Sequence, residues 1–193
     1  MKIFSYVVAR DFGFAPNPFH GFCTLATCKP LIRNAAELGD IIVGTAAAPR
    51  SNEIVFFMEV NEILTFDDYW NDVRFAVKKV NYVGSTKKAY GDNIYHTDEN
   101  GSWIQEDSHH TNYDGSTSEE NIATDTSSNR VLISNNFSYW GSKSPAIPPT
   151  LMELIKKGPG HKCNFPDEFK SEAKAWLMCQ ERGCFGAPSD WKN

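Results

Sequence analysis

The order of hydrophobic and polar positions in the first third of the chain predicts a strand, a helix and two more strands. Residues 3–9 combine β-branched and aromatic side chains, which is typical of a strand. The segment 29–38 is amphipathic, and its apolar residues at i, i+4 and i+7 indicate one buried helix face. Two apolar runs, 41–46 and 54–60, predict the strands that follow. Gly39 is well placed to end the helix, because glycine readily adopts the left-handed conformation found there.

The rest of the chain carries three further patterns. A hydroxyl residue three positions ahead of a carboxylate predicts a short helix in 65–70. Residues 91–130 are dense in Asp, Asn, Ser, Thr and Gly, and predict a long polar excursion. Apolar residues at helical spacing predict C-terminal helices within 142–193. We therefore expect a single domain, with a core in 1–141 that includes the excursion and a helical extension after it.

Composition and charge narrow the class of protein. With 41% hydrophobic and 13% aromatic residues, the chain is expected to fold into a globular protein. We expect no membrane span, because no apolar run approaches 18 residues. Five cysteines without an export signal favour a cytoplasmic protein with reduced thiols. A net charge of −5 disfavours a general duplex-DNA binder, since such binding depends on Lys and Arg neutralising phosphates.

The cluster most suggestive of catalysis lies in the polar excursion. Asp107, His109 and His110 are the candidate catalytic residues, because histidine can exchange protons near neutral pH. His96 precedes them and Asp125 follows them. Adjacent histidines in a strand point to opposite faces, so we do not expect both to bind one metal. No metal and no cofactor are predicted.

A second set of residues suits the binding of a nucleotide base. Arginine and amide side chains can hydrogen-bond a base edge or a phosphate. Each aromatic ring that stacks on a base contributes ~1–3 kcal/mol. The alternative for these side chains is an ion pair, a turn or core packing. The candidate ligand-binding residues are Arg10, Asp11, Asn17, Tyr69, Trp70, Asn93, Trp103 and Trp140.

The cysteines leave three alternatives open. The spacings Cys23-x4-Cys28 and Cys179-x4-Cys184 are compatible with a structural zinc site. Buried thiols explain the same residues with fewer assumptions. Cys23 or Cys28 is also a possible nucleophile, because a helix N-terminus favours the thiolate. The histidine that such a nucleophile needs cannot be located from the sequence.

Several stretches of the chain resemble one known family. Phe4–Phe19, Cys23–Pro30, Gly39-Asp40, Gly91–His96 and Asp107–His110 are similar to the second class of nucleotide-modification-associated domains. That family is grouped with systems that make or handle modified DNA bases. The resemblance therefore implies a role connected with modified bases.

A more distant resemblance concerns the fold. The order strand, loop, helix, Gly-Asp, strand, strand between Lys2 and Val60 is similar to that of PUA, ASCH and EVE domains. It implies an α+β fold with a PUA-like mixed β-barrel, of the kind that accepts a flipped or modified base in an aromatic-lined pocket. The loop 10–17 and the segment 92–110 are then expected to meet over one end of the barrel.

Three functions follow as hypotheses. The first is a binding module for a modified nucleobase or nucleotide in a DNA-modification or phage-defence context. The second is an enzyme that acts on a nucleotide or nucleobase through Asp107, His109 and His110. The third is a protein-interaction domain whose aromatic residues face a partner. The expected partner is a nucleotide or a modified nucleic-acid base, and the sequence does not predict the oligomeric state.

Overall fold

The structure is a computed structural model and describes residues 1–191. Its strands are β1 (Ile3–Val8), β2 (Cys23–Leu25), β3 (Ile41–Ala46), β4 (Ile54–Glu59), β5 (Glu62–Leu64), β6 (Tyr95–Thr97), β7 (Trp103–Gln105), β8 (Val131–Ser134), β9 (Asn136–Tyr139), β10 (His161–Lys162) and β11 (Gly183–Cys184). Its α-helices are α1 (Pro30–Ala35), α2 (Phe66–Asn71), α3 (Thr86–Ala89), α4 (Glu119–Asp125) and α5 (Asp167–Met178). Short 3-10 helices cover Val73–Lys78, Gly141–Lys143 and Pro149–Leu154. The fold is a mixed α/β arrangement.

The chain forms two compact units. The first comprises Met1–Phe12, Ala36–Asn61 and Ser134–Asn193, and the second comprises Gly13–Ala35 and Glu62–Ile133. The expectation of a single domain stays a prediction.

The first unit is built on a six-stranded sheet in the order β10-β1-β3-β4-β9-β11. β1 and β3 run parallel, whereas β3 and β4 pair antiparallel. The three strands predicted in the first third of the chain are therefore confirmed as neighbours in one sheet. The pairing of the described strands ends at β10 on one side and β11 on the other. The PUA-like barrel is thus not confirmed.

One face of this sheet is buried under the C-terminal segment. Ile41, Val43 and Phe57 lie in a core cluster with Leu154 and Leu177, all shielded from solvent. The segment supplies α5 and a 3-10 helix to this layer, and also the two edge strands β10 and β11. Burial of large apolar side chains, each contributing about 1.5–3 kcal/mol, stabilises the layer.

The Gly39-Asp40 pair fixes the start of the sheet. Gly39 has a φ of +82°, in the left-handed region that favours glycine, and its N–H donates to the Val60 carbonyl at 2.8 Å. The Asp40 carboxylate accepts the backbone N–H groups of Lys2 at 2.6 Å and Glu37 at 3.0 Å. Glycine and aspartate therefore hold the beginning of β1 and the end of β4 together.

The helix in the segment 29–38 forms with a different buried face from the one predicted. α1 ends at Ala35, four residues before Gly39, so the prediction that Gly39 ends the helix is wrong. Leu31 and Leu38 of the expected apolar stripe are 71% and 64% exposed. The buried side chains of α1 are Ile32 and Arg33. An arginine occupies the interior because its N–H groups find carbonyl partners there, and periodicity of apolar residues does not reveal this.

The second unit contains the polar excursion. A three-stranded sheet in the order β2-β8-β5 and the hairpin β6-β7 form its strands. The helix predicted in 65–70 is confirmed as α2, where the Thr65 side chain accepts the Asp68 N–H. The side chains of Phe66, Tyr69 and Phe75 are buried in this unit.

Candidate functional site

Cys28 lies in the short connection between β2 and α1 of the second unit. Its φ is +57° and that of Lys29 is +44°, a left-handed conformation that side chains other than glycine rarely adopt. The thiol is half-buried. The Cys28 N–H donates to Asp125 Oδ1 at 2.7 Å. This bond and the unusual backbone fix the direction of the thiol, and constraint of this kind is frequent at functional residues.

Cys28, His110 and Asp125 form a hydrogen-bonded chain of three groups. His110 Nε2 lies 3.6 Å from Cys28 Sγ, and His110 Nδ1 lies 2.7 Å from Asp125 Oδ2. Asp125 ends α4, is 1% exposed and also accepts the Tyr95 hydroxyl at 3.0 Å. A thiol beside an imidazole that a buried carboxylate orients is the arrangement of a nucleophile, its base and a positioning acid.

The surroundings of the two adjacent histidines shift their pKa values in opposite directions. Burial lowers the pKa of His110, but its hydrogen bonds to Asp125 and Cys28 outweigh this and raise that pKa to about 9. Burial and the neighbouring His110 charge lower the pKa of His109. At neutral pH His110 therefore carries a proton, whereas His109 is neutral.

A buried arginine holds the backbone on both sides of this site. Arg33 is 0% exposed, and its Nε donates to the Cys28 carbonyl at 2.9 Å. Its two terminal nitrogens donate to the carbonyls of Asp125, Ser128 and Arg130. Burial lowers the pKa of Arg33 to about 10, and the nearby Asp125 opposes this shift. Arg33 thus joins the segments that carry the Cys28 thiol and the Asp125 carboxylate.

Aromatic rings pack against the histidines. The Phe14 ring lies 4.6 Å from that of His110 and 5.4 Å from that of His109. The Tyr90 ring lies 5.2 Å from the His109 ring. The two histidines occupy a turn rather than a strand, so both can contact Phe14 instead of pointing to opposite faces. These contacts limit the rotation of the His110 ring.

The same three residues are also the group that could hold a metal ion. The ligand atoms of Cys28, His110 and Asp125 lie within 4.8 Å of one another. A metal requires the three ligand atoms to converge on one point. Here the sulfur lies on the Nε2 side of the ring and the carboxylate on the Nδ1 side. The three ligand atoms are nevertheless close enough to hold one metal ion, and the same contacts allow proton transfer between the thiol and the ring.

Comparison with known proteins places the chain in a family. The sequence model of "Nucleotide modification associated domain 2" matches residues 1–193, the whole chain. The chain belongs to this family. No curated protein and no solved structure matches it. Membership supports a role connected with nucleotide modification.

Of the helices within residues 1–191, none has the length and apolar character needed to cross a membrane.

Several of the predicted site residues take structural positions in this family member. The Asn17 side chain accepts from Lys78 Nζ at 2.7 Å and donates to the Tyr90 carbonyl at 3.0 Å. The buried Tyr69 hydroxyl donates to Asp92 at 2.8 Å. Trp103 packs edge-on against Phe66 at 5.6 Å. These side chains hold the second unit together, so their contacts explain their presence without a ligand.

Part of the predicted contact between the loop 10–17 and the segment 92–110 lies within the second unit. Asn17 bonds the Tyr90 backbone, and the Tyr90 ring contacts His109. Residues 13–17 of the loop are therefore joined to the excursion through Tyr90. Asp107 is exposed and accepts the Thr111 hydroxyl at 3.0 Å.

Three other predicted residues lie in the first unit. The Arg10 side chain is 77% exposed, and its Nη1 lies 3.9 Å from Asp190 Oδ1. Asp11 is buried and accepts the Tyr139 hydroxyl at 2.6 Å and the Ser189 N–H at 3.1 Å. Trp140 packs on the Phe57 ring at 6.1 Å. Their contacts tie the C-terminal segment to the sheet.

The cysteines are not all buried thiols. Cys23 is buried, whereas Cys163, Cys179 and Cys184 are exposed. Only tertiary structure reveals that Cys28 has a histidine partner, because the two residues are 82 positions apart. Arg33 was missed altogether, and the sequence carries no signal that would have found it.

Proposed function

We propose that this chain is an enzyme of nucleotide modification that uses Cys28 as its nucleophile. The observation that carries this proposal is the hydrogen-bonded chain Cys28–His110–Asp125. In this scheme His110 is the acid and base, Asp125 orients it, and the substrate is a nucleotide, a nucleobase or a group attached to one. Membership of the nucleotide modification associated domain 2 family supports that substrate class.

The chemistry follows from the protonation of the site. A thiolate is the reactive form of cysteine, and a neighbouring imidazolium stabilises it. The Cys28 thiolate attacks an electrophilic carbon of the substrate and forms a carbon–sulfur bond. The His110 imidazolium gives its proton to the leaving group. Neutral His110 then takes a proton from the acceptor that breaks the carbon–sulfur bond, which returns the site to its starting state.

Asp125 accepts three hydrogen bonds in this scheme. It accepts from the Cys28 N–H, the His110 ring and the Tyr95 hydroxyl. These bonds fix His110 with Nε2 directed to the thiol, since each ring nitrogen has its own partner. The Cys28 N–H is occupied by Asp125 and is not the donor that stabilises a developing negative charge on the substrate.

A pure binding function has weaker support. Of the rings predicted to stack on a base, Tyr69 is buried and Trp103 packs on Phe66. Trp70 is covered by the His96 ring at 4.1 Å and by Lys79 Nζ at 3.4 Å from its centre. Two groups this close to the ring centre must lie on opposite faces. The relation to PUA-like barrels stays a prediction, and the proposed chemistry does not depend on it.

Thiol alkylation tests the nucleophile. At pH 6 an ordinary thiol is less than about 1% thiolate, because its pKa is ~8.5. We expect iodoacetamide to modify Cys28 at least about tenfold faster than the exposed Cys179 at this pH, since an imidazolium lies beside the Cys28 thiol. Peptide mass spectrometry measures the rate at each cysteine. His110→Gln should remove the advantage.

His109→Gln is the matched control, because it removes the adjacent imidazole, whose ring packs against Phe14 and Tyr90. The proposal is wrong if Cys28 reacts no faster than Cys179, or if His109→Gln and His110→Gln have equal effects. Alkylation of Cys28 only after treatment with a chelator would instead assign the three residues to a metal site.

A further inference from the structure

A second cavity in the same unit has the properties of a base-binding pocket. Its volume is about 220 Å³, and Trp70, Lys79, Tyr82, Asn93, Glu106 and Asp107 line it. This volume is below the roughly 300–1,000 Å³ of pockets that enclose whole drug-sized ligands. The cavity therefore suits one heterocycle rather than a complete nucleotide.

An unsatisfied acceptor marks this cavity as a ligand site. Asn93 is 1% exposed, and its Oδ1 has no hydrogen-bond partner. Its Nδ2 donates to the carbonyls of Tyr69 at 3.0 Å and Phe75 at 3.2 Å, which fixes the orientation of the amide. A buried acceptor without a partner costs about 1–3 kcal/mol. Oδ1 is shielded from solvent, so a ligand N–H removes this cost where the cavity wall opens to admit it.

The cavity also contains two carboxylates, which are acceptors, and one donor, Lys79, whose Nζ lies over the Trp70 ring. Glu106 accepts from His96 through Oε1 at 2.9 Å and is 44% exposed, and Asp107 lies beside it in the chain. An ionised carboxylate only accepts hydrogen bonds. A ligand that presents N–H groups toward Asn93 and Glu106 matches these acceptors. A carbonyl oxygen placed there would be repelled by the carboxylates.

Aromatic walls favour a flat ligand. Trp70 lines the cavity with its ring held between His96 and Lys79, and Tyr82 lines it with 57% of its surface exposed. Because Trp70 is held rigidly, its edge can contact a heterocycle without a loss of side-chain freedom. Tyr82 can stack against such a ring.

We propose that this cavity binds an amino-bearing nucleobase: guanine, adenine or cytosine rather than thymine or uracil. The exocyclic amine of these bases supplies the N–H donors that Asn93 Oδ1 and Glu106 require. Thymine and uracil instead present carbonyl oxygens on both sides of a single ring N–H. The inference deepens the proposed function, on which it rests, by naming the substrate class.

The position of the cavity agrees with that role. Tyr82 and Asp107 are shared with a wider cleft of about 660 Å³, which His109 also lines. His109 directly precedes His110 of the proposed triad. A ligand with its base in the cavity can therefore extend along the cleft as far as His109.

Calorimetric titration of Cys28→Ala protein with free deoxynucleosides tests the inference without turnover. We expect deoxyguanosine, deoxyadenosine or deoxycytidine to bind at least about tenfold more tightly than thymidine, the discrimination that one well-formed base contact provides. Glu106→Gln should reduce this preference about tenfold, because the new amide can present a donor toward the base amine.

Glu99→Gln is the matched control, because Glu99 is exposed and does not line the cavity. It should leave binding unchanged. Equal affinity for thymidine, absence of binding by every deoxynucleoside, or equal effects of the two substitutions would overturn the inference. The alkylation rate of Cys28 in the otherwise unmodified protein is measured separately. Loss of selective alkylation would contradict the proposed role of Cys28 as a nucleophile. Failure of binding alone would contradict only the base-binding role of this cavity.

Discussion

Replacing Arg33 with methionine is expected to lower the free energy of unfolding by about 3–5 kcal/mol. The side chain is 0% exposed and donates to the carbonyls of Cys28, Asp125, Ser128 and Arg130. Methionine fills a similar volume but leaves these carbonyls without their donor, and an unsatisfied buried acceptor costs about 1–3 kcal/mol. Urea denaturation followed by circular dichroism measures the change.

Arg74→Met is the matched control for this effect. Arg74 pairs with Glu62 at 2.8 Å but is 43% exposed, so solvent screens the pair. We expect this substitution to cost less than about 1 kcal/mol. Arg33→Lys should not restore stability, because one ammonium cannot reproduce the fork of a guanidinium. Equal losses for Arg33→Met and Arg74→Met would show that the buried network does not stabilise the second unit.

Three strands of the first unit could be predicted because local sequence determines them, whereas β10 and β11 lie in the segment predicted to be helical. β1, β3 and β4 are apolar runs of β-branched and aromatic residues, and turn residues bound them. Gly39-Asp40 was informative because glycine alone adopts a φ of +82° without strain. The buried face of α1 could not be predicted in the same way. Its interior residue is Arg33, whose four carbonyl partners come from the turn before α1 and from residues about a hundred positions further along the chain.

The candidate site was predicted by residue type but not by grouping. His110 and Cys28 were both recognised as chemically suggestive, but as members of different clusters. Their contact spans 82 positions, and that of Cys28 with Asp125 spans 97. Asp107 is closer in sequence to His110 than Asp125 is, but Asp125 lies on α4, which directs its carboxylate toward the ring. Proximity along a chain does not predict which carboxylate orients a histidine.

The aromatic residues show a further limit of prediction from sequence. Stacking on a base and packing in a core require the same side chains, so Tyr69, Trp70 and Trp103 fitted both roles. The structure separates them by their partners: the Tyr69 hydroxyl bonds Asp92, and the Trp70 ring is covered by His96 and Lys79. Asn93 was selected for its type, but its significance depends on which of its two amide atoms has a partner.

The stability contributed by His110 is expected to decrease as the pH rises from 6.5 to 9. The pKa of His110 is raised from 6.5 to about 9 in the folded protein, chiefly by its bonds to Asp125 and Cys28 against the effect of burial. Within this window the folded state holds a proton that the unfolded state has released, so stability falls with pH. The full contribution is roughly 3 kcal/mol, from about 1.4 kcal/mol for each unit of pKa. It is present below pH 6.5 and lost above pH 9.

The pH dependence of the original protein alone does not isolate His110, because the buried Lys78 changes the free energy of unfolding in the opposite direction. Burial lowers the pKa of Lys78 to about 8, so its contribution rises with pH between 8 and 10.5. The difference in unfolding free energy between the original protein and His110→Gln cancels that term. We expect this difference to shrink as the pH rises from 6.5 to 9, as measured by urea denaturation at each pH.

His109→Gln supplies a control of opposite sign. The pKa of His109 is lowered by burial and by His110, so its unfolded form takes up a proton first as the pH falls below 6.5. The difference in unfolding free energy between the original protein and His109→Gln should therefore change below pH 6.5 and stay constant above it. A constant difference for His110→Gln between pH 6.5 and 9 would mean that the imidazolium–carboxylate pair is absent. The proton that the proposed mechanism transfers to the leaving group would then have no source in His110.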